Sequence, residues 1–432
     1  MGLSRTYGYH AEVLAGGRLK PVTAYFAIAF GDAFVFTFGE NILILFQTNE
    51  AALSASQLLM LTAVYRIVIM VGEVPTGVLA DTAGRRASVC TGFVLLGLGL
   101  LIMGVRAEFA NLLLGQVVMG VGYTFLSGAR QAWIADEIGV EAANPVYVQT
   151  AQLSMWLWVA AVPLSVLLSA WHINLPILVS GATLVVMGAA LLRLMPEEGF
   201  QRQKRNEALS LRWVANAMWA TYSEGLRAAR GRPLLITILV ISAVTGVVGL
   251  GFQRLWLLHF NVSIGYPDLF GLDDVGWFGV MRVCAALLSV ALLEIVRRRG
   301  GDALSSHTTV VRALFLINAL QLNAILLLGL TSSFGLAFFA YCATFALSYA
   351  YDPFYLAWLN QNVESNVRAT MISMNSQAES IGRVAGAPLI GFVAAATTVR
   401  AALTLAGLAM TVPLILYLRA FRQGQSSDAE EN

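Results

Sequence analysis

Charge is what this sequence has least of. Only 12% of its 432 residues are Asp, Glu, Lys or Arg, against about a quarter in ordinary soluble domains, while 58% are hydrophobic. That balance excludes a water-soluble globular domain and points to a chain solvated by lipid. Cysteine is equally scarce: Cys90, Cys284 and Cys342 each stand alone in an apolar run, which excludes a disulfide framework and offers no CxxC or metal spacing. The net charge of +2, with no continuous basic stripe, excludes a nucleic-acid partner. No P-loop and no His/Cys/Ser constellation appears, so neither ATP hydrolysis nor another enzymatic reaction is expected, and no metal or cofactor is implied. The first twenty residues carry Arg5, His10, Glu12, Arg18 and Lys20 and lack the apolar core of a cleavable signal. The first apolar run is therefore expected to stay as an anchor.

What the sequence does have is apolar runs of membrane-spanning length, which takes roughly 20 residues. Twelve are expected, near 21–48, 54–80, 87–105, 109–136, 145–170 and 173–195, then 233–260, 272–296, 306–330, 333–360, 367–396 and 399–420. The fold class is an all-α membrane protein of twelve transmembrane helices. Its organisation is a tail over 1–20, a six-helix bundle over 21–195, a linker over 196–232, a second six-helix bundle over 233–420 and a tail over 421–432. With both termini cytoplasmic, 19 of the 27 Lys and Arg fall on that side and only Arg106 and Arg400 on the other; the rest lie within spans. This is the positive-inside asymmetry of a multi-pass protein of the inner (cytoplasmic) membrane. Within the linker, Leu211, Val214, Ala215, Met218, Tyr222 and Leu226 recur at helical spacing. They suggest an interfacial helix anchored by Trp213 and Trp219, with a solvated linker as the alternative. The halves echo each other weakly: Asp81 precedes Arg85 and Arg86 by the same spacing at which Glu294 precedes Arg298 and Arg299, and Asn144 opens the fifth span as Asn366 opens the eleventh.

The stretch GVLADTAGRR, residues 77–86, stands between the second and third spans. It resembles the signature Gly-x-Leu-Ala-Asp-x-x-Gly-Arg-Arg/Lys of the major facilitator superfamily, at the place in a twelve-span chain where that family carries it. The resemblance covers residues 21–420. It implies two pseudo-symmetric six-helix bundles that rock around a central site, and a conformational gate made of Gly77, Asp81, Gly84, Arg85, Arg86, Asp136 and Glu137. In that gate Asp81 would meet the positive N-terminus of the helix opening near Asn366, where a carboxylate gains about 0.3–1 kcal/mol, and Arg85 or Arg86 would pair with Asp136 or Glu137. The alternative is that the two arginines only anchor topology. Two features depart from the family's drug/proton antiporters. Gln116 stands where an arginine often precedes the Gly-x-Gly of the fourth helix, and the fifth helix, AQLSMWLWVAAVPLSVLLSAW, has no glycine. The eleventh instead carries Gly382, Gly386, Pro388 and Gly391, a spacing for close helix contact.

Ionisable residues inside the membrane are functional candidates, since each costs roughly 2.5–3.5 kcal/mol on insertion scales. Asp32 and Glu40 lie on the first span, about 12 Å and 80° apart on an ideal helix, so both can face one cavity. Acids on this helix serve as proton or cation sites in several exporters of the family. They and Glu379 are the proton-coupling candidates, with a fixed ion pair to Arg66 as the alternative for either first-span acid. Arg66 shares a face with Glu73, so it is expected to find an acid partner, or else an anionic substrate. Glu379 and Arg383 stand four apart with the acid N-terminal, the arrangement of an intrahelical pair. Arg130 and Arg282 are expected in cytoplasmic-side and interhelical networks. Arg254 and His259 are read as snorkelling toward the outer end of the seventh span, and His172 and His307 need no special role. The tenth span, YCATFALSYAYDPFYLAW, is rich in aromatics. It is either a cavity wall suited to an amphipathic or cationic substrate, with Pro353 kinking the helix beside Asp352, or an interfacial belt. Arg66, Arg383, Asp352, Tyr349 and Phe345 are the substrate-cavity candidates.

The expected function is secondary active transport by alternating access. The expected mode is proton-coupled efflux of a small amphipathic compound such as a drug or metabolite, since one charge crossing 100 mV supplies about 2.3 kcal/mol. The alternatives are a proton-coupled importer of a polar or anionic solute and a non-transporting sensor or scaffold. The partners expected are the lipid bilayer, a small-molecule substrate and protons, for a chain that acts as a monomer.

Overall fold

A chain this apolar, placed where water cannot reach it, must satisfy its backbone polar groups internally, and long helices do so within one segment. The computed structural model describes residues 14–15, 17–201, 219, 223, 233–303, 307–363 and 368–430. Among the described residues there are twelve long helices: α1 Pro21–Glu50, α2 Ala55–Ala83, α3 Arg85–Val105, α4 Phe109–Ile138, α5 Val140–Ser169, α6 Leu175–Leu194, α7 Leu235–Ile264, α8 Asp274–Arg298, α9 His307–Leu330, α10 Phe334–Asn362, α11 Arg368–Ala396 and α12 Val399–Phe421. Eleven are long and apolar enough to cross a membrane. The exception, α11, has the length at 29 residues but carries Asn375, Gln377, Glu379 and Arg383; it is polar because it faces the inside of the bundle. A short hairpin, β1 Leu14–Ala15 and β2 Arg18–Leu19, precedes α1. The interfacial helix expected in the linker lies outside the described residues, as do Trp213 and Asn366.

Local sequence explains the main breaks. Ser54 and Gln57 form a capping box that starts α2. Gly84, at φ 125°, turns the chain between α2 and α3 in a backbone conformation that suits glycine. A second positive-φ glycine, Gly128, interrupts α4 after Leu126. Gly139, also at positive φ, lets α5 start at Val140 rather than near 145, so Asn144 lies inside the helix instead of opening it. The first helix widens into π-type turns over Gly31–Phe36 and Phe46–Glu50, a distortion that is common at functional sites, and the first contains Asp32. The tenth helix runs unbroken through Pro353.

One core cluster belongs to α1–α6, built around Phe93, Leu100 and Trp133, and a second to the other half, around Tyr351, Trp358 and Tyr417. Two further clusters join the halves: Ile42 and Leu45 of α1 pack with Phe252, Trp256 and Phe278, and Leu59 of α2 packs with Ala387 and Ile390 of α11. Large apolar side chains such as Val186, Leu167 and Phe392 point outward with 68–72% of their surface open. Surfaces of this kind are tolerated where lipid, not water, is the solvent.

The echo between the halves is visible in side-chain geometry. Asp81 Oδ1 accepts from Arg85 Nη1 at 2.6 Å, and Glu294 Oε1 accepts from Arg298 Nε at 2.6 Å, each an i,i+4 pair at the same place in its half. Arg297 joins the second pair at 2.7 Å, and the side chain of Arg299 lies outside the described residues.

Candidate functional site

The second half holds a cavity of about 430 Å³, lined by Gln253 of α7, Gln321 of α9, Phe345, Tyr349 and Asp352 of α10, and Glu379 and Arg383 of α11, among others. That volume lies within the range of small-molecule sites. Hydrogen bonds join the halves at the end remote from the termini: Asn49 donates to Asp274 and accepts from Asn261 at 2.8 Å. Deeper in, the buried Asn41 donates to Ser165 Oγ at 2.9 Å and accepts from Arg282 Nε at 2.7 Å, tying α1, α5 and α8 together. Further along, Gln377 of α11 donates to Glu73 of α2 at 3.2 Å.

The aromatic residues of α10 divide by position. Tyr341, Tyr351, Phe354, Tyr355 and Trp358 are buried in the bundle, so they do not form an interfacial belt. Phe345 and Tyr349 face the cavity and meet Trp158 of α5, with ring centroids 6.0 and 5.6 Å apart. The Arg282 guanidinium sits 5.2 Å from the centre of the Phe345 ring, so a cation already occupies this wall. Trp158 was not among the residues singled out by sequence. Its helix carries two tryptophans, Trp156 and Trp158, in an apolar run, and only the meeting of the two halves selects one of them. Beside the wall, Tyr355 Oη donates to Asn375 Oδ1 at 2.6 Å and Ser242 Oγ bonds both, a polar node linking α7, α10 and α11.

The charged residues fall into three groups. At the cavity, Arg383 donates to Glu379 Oε1 through Nη2 at 2.7 Å and Nε at 3.1 Å, and through Nη1 to Gln253 Oε1 at 2.9 Å. The i,i+4 pair expected from the sequence is therefore formed, with a third partner from α7. Asp352 lines the same cavity. Glu40 is in electrostatic range of Arg254, Tyr65 and Tyr349 and forms no ion pair among the described residues.

Two sequence expectations are corrected here. Arg66 does not take Glu73 as an ion-pair partner: the Glu73 carboxylate accepts instead from Ser127 Oγ at 3.4 Å and from Gln377, and Arg66 Nε is buried without an acceptor. Arg254 and His259 do not snorkel. Arg254 lies ten residues, about 15 Å of helix rise, before the end of α7, too deep to reach an interface, and it faces Glu40, Arg66 and Arg383. His259 is fully buried, with Nε2 2.9 Å from the Leu328 carbonyl oxygen. That depth was countable in the sequence; the inward direction of the side chain was not.

The second group surrounds Asp32. Its ion-pair partner is Arg130, not Arg66. The break at Gly128 and the π-type turn around Asp32 bring α4 and α1 together at this point. A separate cavity of about 240 Å³, lined by Tyr25, Gln131, Tyr147, Thr150 and Ser154, opens beside the pair. Asp32 lines this smaller cavity and Glu40 does not, which corrects the expectation that both face one.

The third group is at the signature. Asp81 and Asp136 both hold Arg85, at 2.6 and 3.5 Å. Arg86 turns away to Glu197, which also accepts the Arg86 backbone N–H at 2.7 Å. Glu137 holds no arginine; its carboxylate accepts the backbone N–H groups of Glu198 and Gly199, both at 2.8 Å. Glu197 was missed because it lies in the linker, where a lone acid carries no pattern. Gly84 supplies the turn, and a side chain there would press on Glu197 at 3.0 Å. Gly77 has open space beside it.

The comparisons agree with this architecture. The family model described as Major Facilitator Superfamily matches residues 22–387. The uncharacterized MFS-type transporter YxaM of Bacillus subtilis (strain 168) is 20% identical over 367 residues, 84% of this chain and 86% of that protein. The sugar transport protein MST8 of Oryza sativa subsp. japonica is also 20% identical, over 59% of this chain and 54% of its own length, so the chain spans about half of that relative. Among solved structures, the nucleoside transporter NupG superposes with a TM-score of 0.71 at 11% identity, over 93% of this chain and 99% of that one, a likeness of fold. With two six-helix halves and the family's profile across most of its length, this chain belongs to the major facilitator superfamily and is a multi-pass membrane transporter, not an enzyme.

Proposed function

We propose that the protein exports a small amphipathic organic compound in exchange for protons, by alternating access to its 430 Å³ cavity. The observation that carries this reading is the separation of the two acids on α1. Asp32 pairs with Arg130 in its own pocket, while Glu40 lies outside that pocket, in electrostatic range of Arg254. A proton taken up at Asp32 would free Arg130 without entering the space that holds the substrate. The gain or loss of that ion pair changes how α1 meets α4 and α5, and so can bias one arrangement of the N-terminal half over the other. The 430 Å³ cavity with its aromatic wall suits a compound with a sizeable apolar part.

In this state the halves are joined at the end remote from the termini, and the signature cluster makes its ion pairs within the N-terminal half. With cytoplasmic termini we read this as a form closed on the outer side; the residues at the start of α11 that Asp81 is expected to engage lie outside the described residues. A proteoliposome carrying the purified protein tests the reading: an imposed pH gradient should drive uptake or release of an amphipathic compound. Expression in cells should lower accumulation of the same compound; raised accumulation would favour symport into the cell. Absence of flux across a broad panel would refute transport coupled to protons.

A further inference from the structure

Among the described residues that line the 430 Å³ cavity, Asp352 and Glu379 are acids and Arg383 is a base. Arg383 is committed: it donates to Glu379 Oε1 and to Gln253 Oε1. Asp352 is left over. It stands ten residues, about 15 Å of rise, before the inner end of α10 at Asn362, so it lies within the membrane rather than at its edge. Its side chain is exposed, lines the cavity and makes no hydrogen bond or ion pair with any described residue. The charge it feels across the cavity is that of Glu379, a second acid. Glu379 gives Arg383 only Oε1; its Oε2 takes no hydrogen bond from a described residue. Acids within membrane spans pair with a counter-charge or face a water-filled cavity that serves a ligand, and here the lining supplies no base for Asp352.

We propose that Asp352 binds the protonated nitrogen of an amine substrate, through N–H groups donated to its carboxylate. Glu379, with its uncommitted Oε2, adds a second acceptor to the same lining. The aromatic wall does not hold the charge, because Phe345 already has the Arg282 guanidinium 5.2 Å from its ring centre and Trp158 stacked at 6.0 Å. Recognition therefore runs through oxygen acceptors and charge-assisted hydrogen bonds. A primary ammonium satisfies them and a fully methylated one, which has no N–H, does not. The apolar body of the amine rests on Phe252 and Tyr349 of the lining. The inference rests on the proposed transport reading and narrows its cargo from amphipathic compounds in general to amphipathic amines.

The test titrates the full chain in detergent at neutral pH, with binding read by calorimetry and by the unfolding temperature. The probes are 1-naphthylmethylamine, protonated under these conditions, its N,N,N-trimethyl derivative, the neutral 1-naphthylmethanol and the anionic 1-naphthoate. The amine should bind at least tenfold more tightly than each of the other three. D352N should weaken amine binding about tenfold or more, the loss of a hydrogen bond to a charged group, and leave binding of the alcohol unchanged. D352E should retain part of the affinity, and D268N, in the exposed loop before α8, should change nothing.

The proposal is overturned if the amine does not bind, if the trimethyl compound or naphthoate binds as tightly, or if D352N keeps wild-type affinity for the amine. It is overturned equally if the alcohol matches the amine, the result expected of an Asp352 that carries its own proton. The wild-type series decides these points even where D352N does not fold. A transport arm separates the two readings. Flux of the alcohol but not of the amine sinks the ammonium subsite and leaves the transporter standing. Tight amine binding that D352N removes, without flux of any compound, does the reverse.

Discussion

Replacing Gly382 by Ala tests whether the cavity depends on the close crossing of α7 and α11. A Cβ built on Gly382 would stand 1.8 Å from the carbonyl oxygen of Ala243 and 2.7 Å from its carbonyl carbon, and across the same crossing a Cβ on Gly246 would stand 2.2 Å from the Glu379 carbonyl oxygen. Ordinary contact for such an atom begins at 3.4 Å, so one methyl requires the helices to part by about 1.6 Å (3.4 less 1.8). The obstacle is backbone, so no rotamer change can relieve it. Overpacking of this kind costs about 1–3 kcal/mol; the upper end applies here, less the 0.5–1 kcal/mol that Ala gains over Gly within a helix, for a net loss of about 2 kcal/mol. Because Glu379 and Arg383 flank Gly382 on the same helix, the separation also moves the charged side of the cavity. Thermal unfolding of the purified variant should occur well below the wild-type temperature, and bound substrate should recover only part of the difference. A variant that unfolds with the wild type and transports normally would show that the helices can separate freely, and the packing argument would fail.

Removing the carboxylate in Glu379→Ala strands Arg383, whose side chain is only 10% exposed; a loss of about 1.5–3 kcal/mol is expected for a hydrogen bond to a charged group, toward the lower end because Glu379 is more than a third exposed. The double variant E379A/R383M should regain stability relative to E379A, since a buried pair can be replaced by apolar groups at little net loss, and a double variant less stable than the sum of the singles would contradict that account. At the signature, Gly77→Ala meets open space and should stabilise this state by about 0.5–1 kcal/mol while slowing turnover, and Asp81→Asn should likewise slow turnover with substrate affinity preserved; normal turnover in both would remove the gate role. Asp32→Asn and Glu40→Gln should each abolish flux driven by a pH gradient in proteoliposomes, Glu40→Gln without lowering the unfolding temperature and Asp32→Asn with a modest drop because Arg130 loses its ion-pair partner; full pH-driven flux in both would mean that protons are coupled elsewhere.

The helices were legible in the sequence because a lipid-facing run must be apolar for the whole thickness of the membrane, a signal that needs no tertiary information. α11 shows where that signal weakens: its hydropathy is low, yet its length and glycine spacing still mark it. The signature was legible because a polar, glycine-bearing island between two apolar runs has no structural reason to be there. The Glu379–Arg383 pair was legible because both residues share one helix, where spacing alone sets proximity.

Contacts between helices distant in sequence were not legible. Asp32 meets Arg130, Arg86 meets Glu197, and Trp158 meets Phe345, because each depends on which faces of separate helices are turned together. The distinction matters most for Arg66 and Arg254. By itself the sequence determined that each is a charge within an apolar span, since that follows from composition and depth. Only the tertiary structure decided that, among the described residues, no carboxylate forms an ion pair with either one, although Glu40 is in electrostatic range of Arg254 and Glu73 of Arg66, because the way each side chain turns is set by packing against other helices.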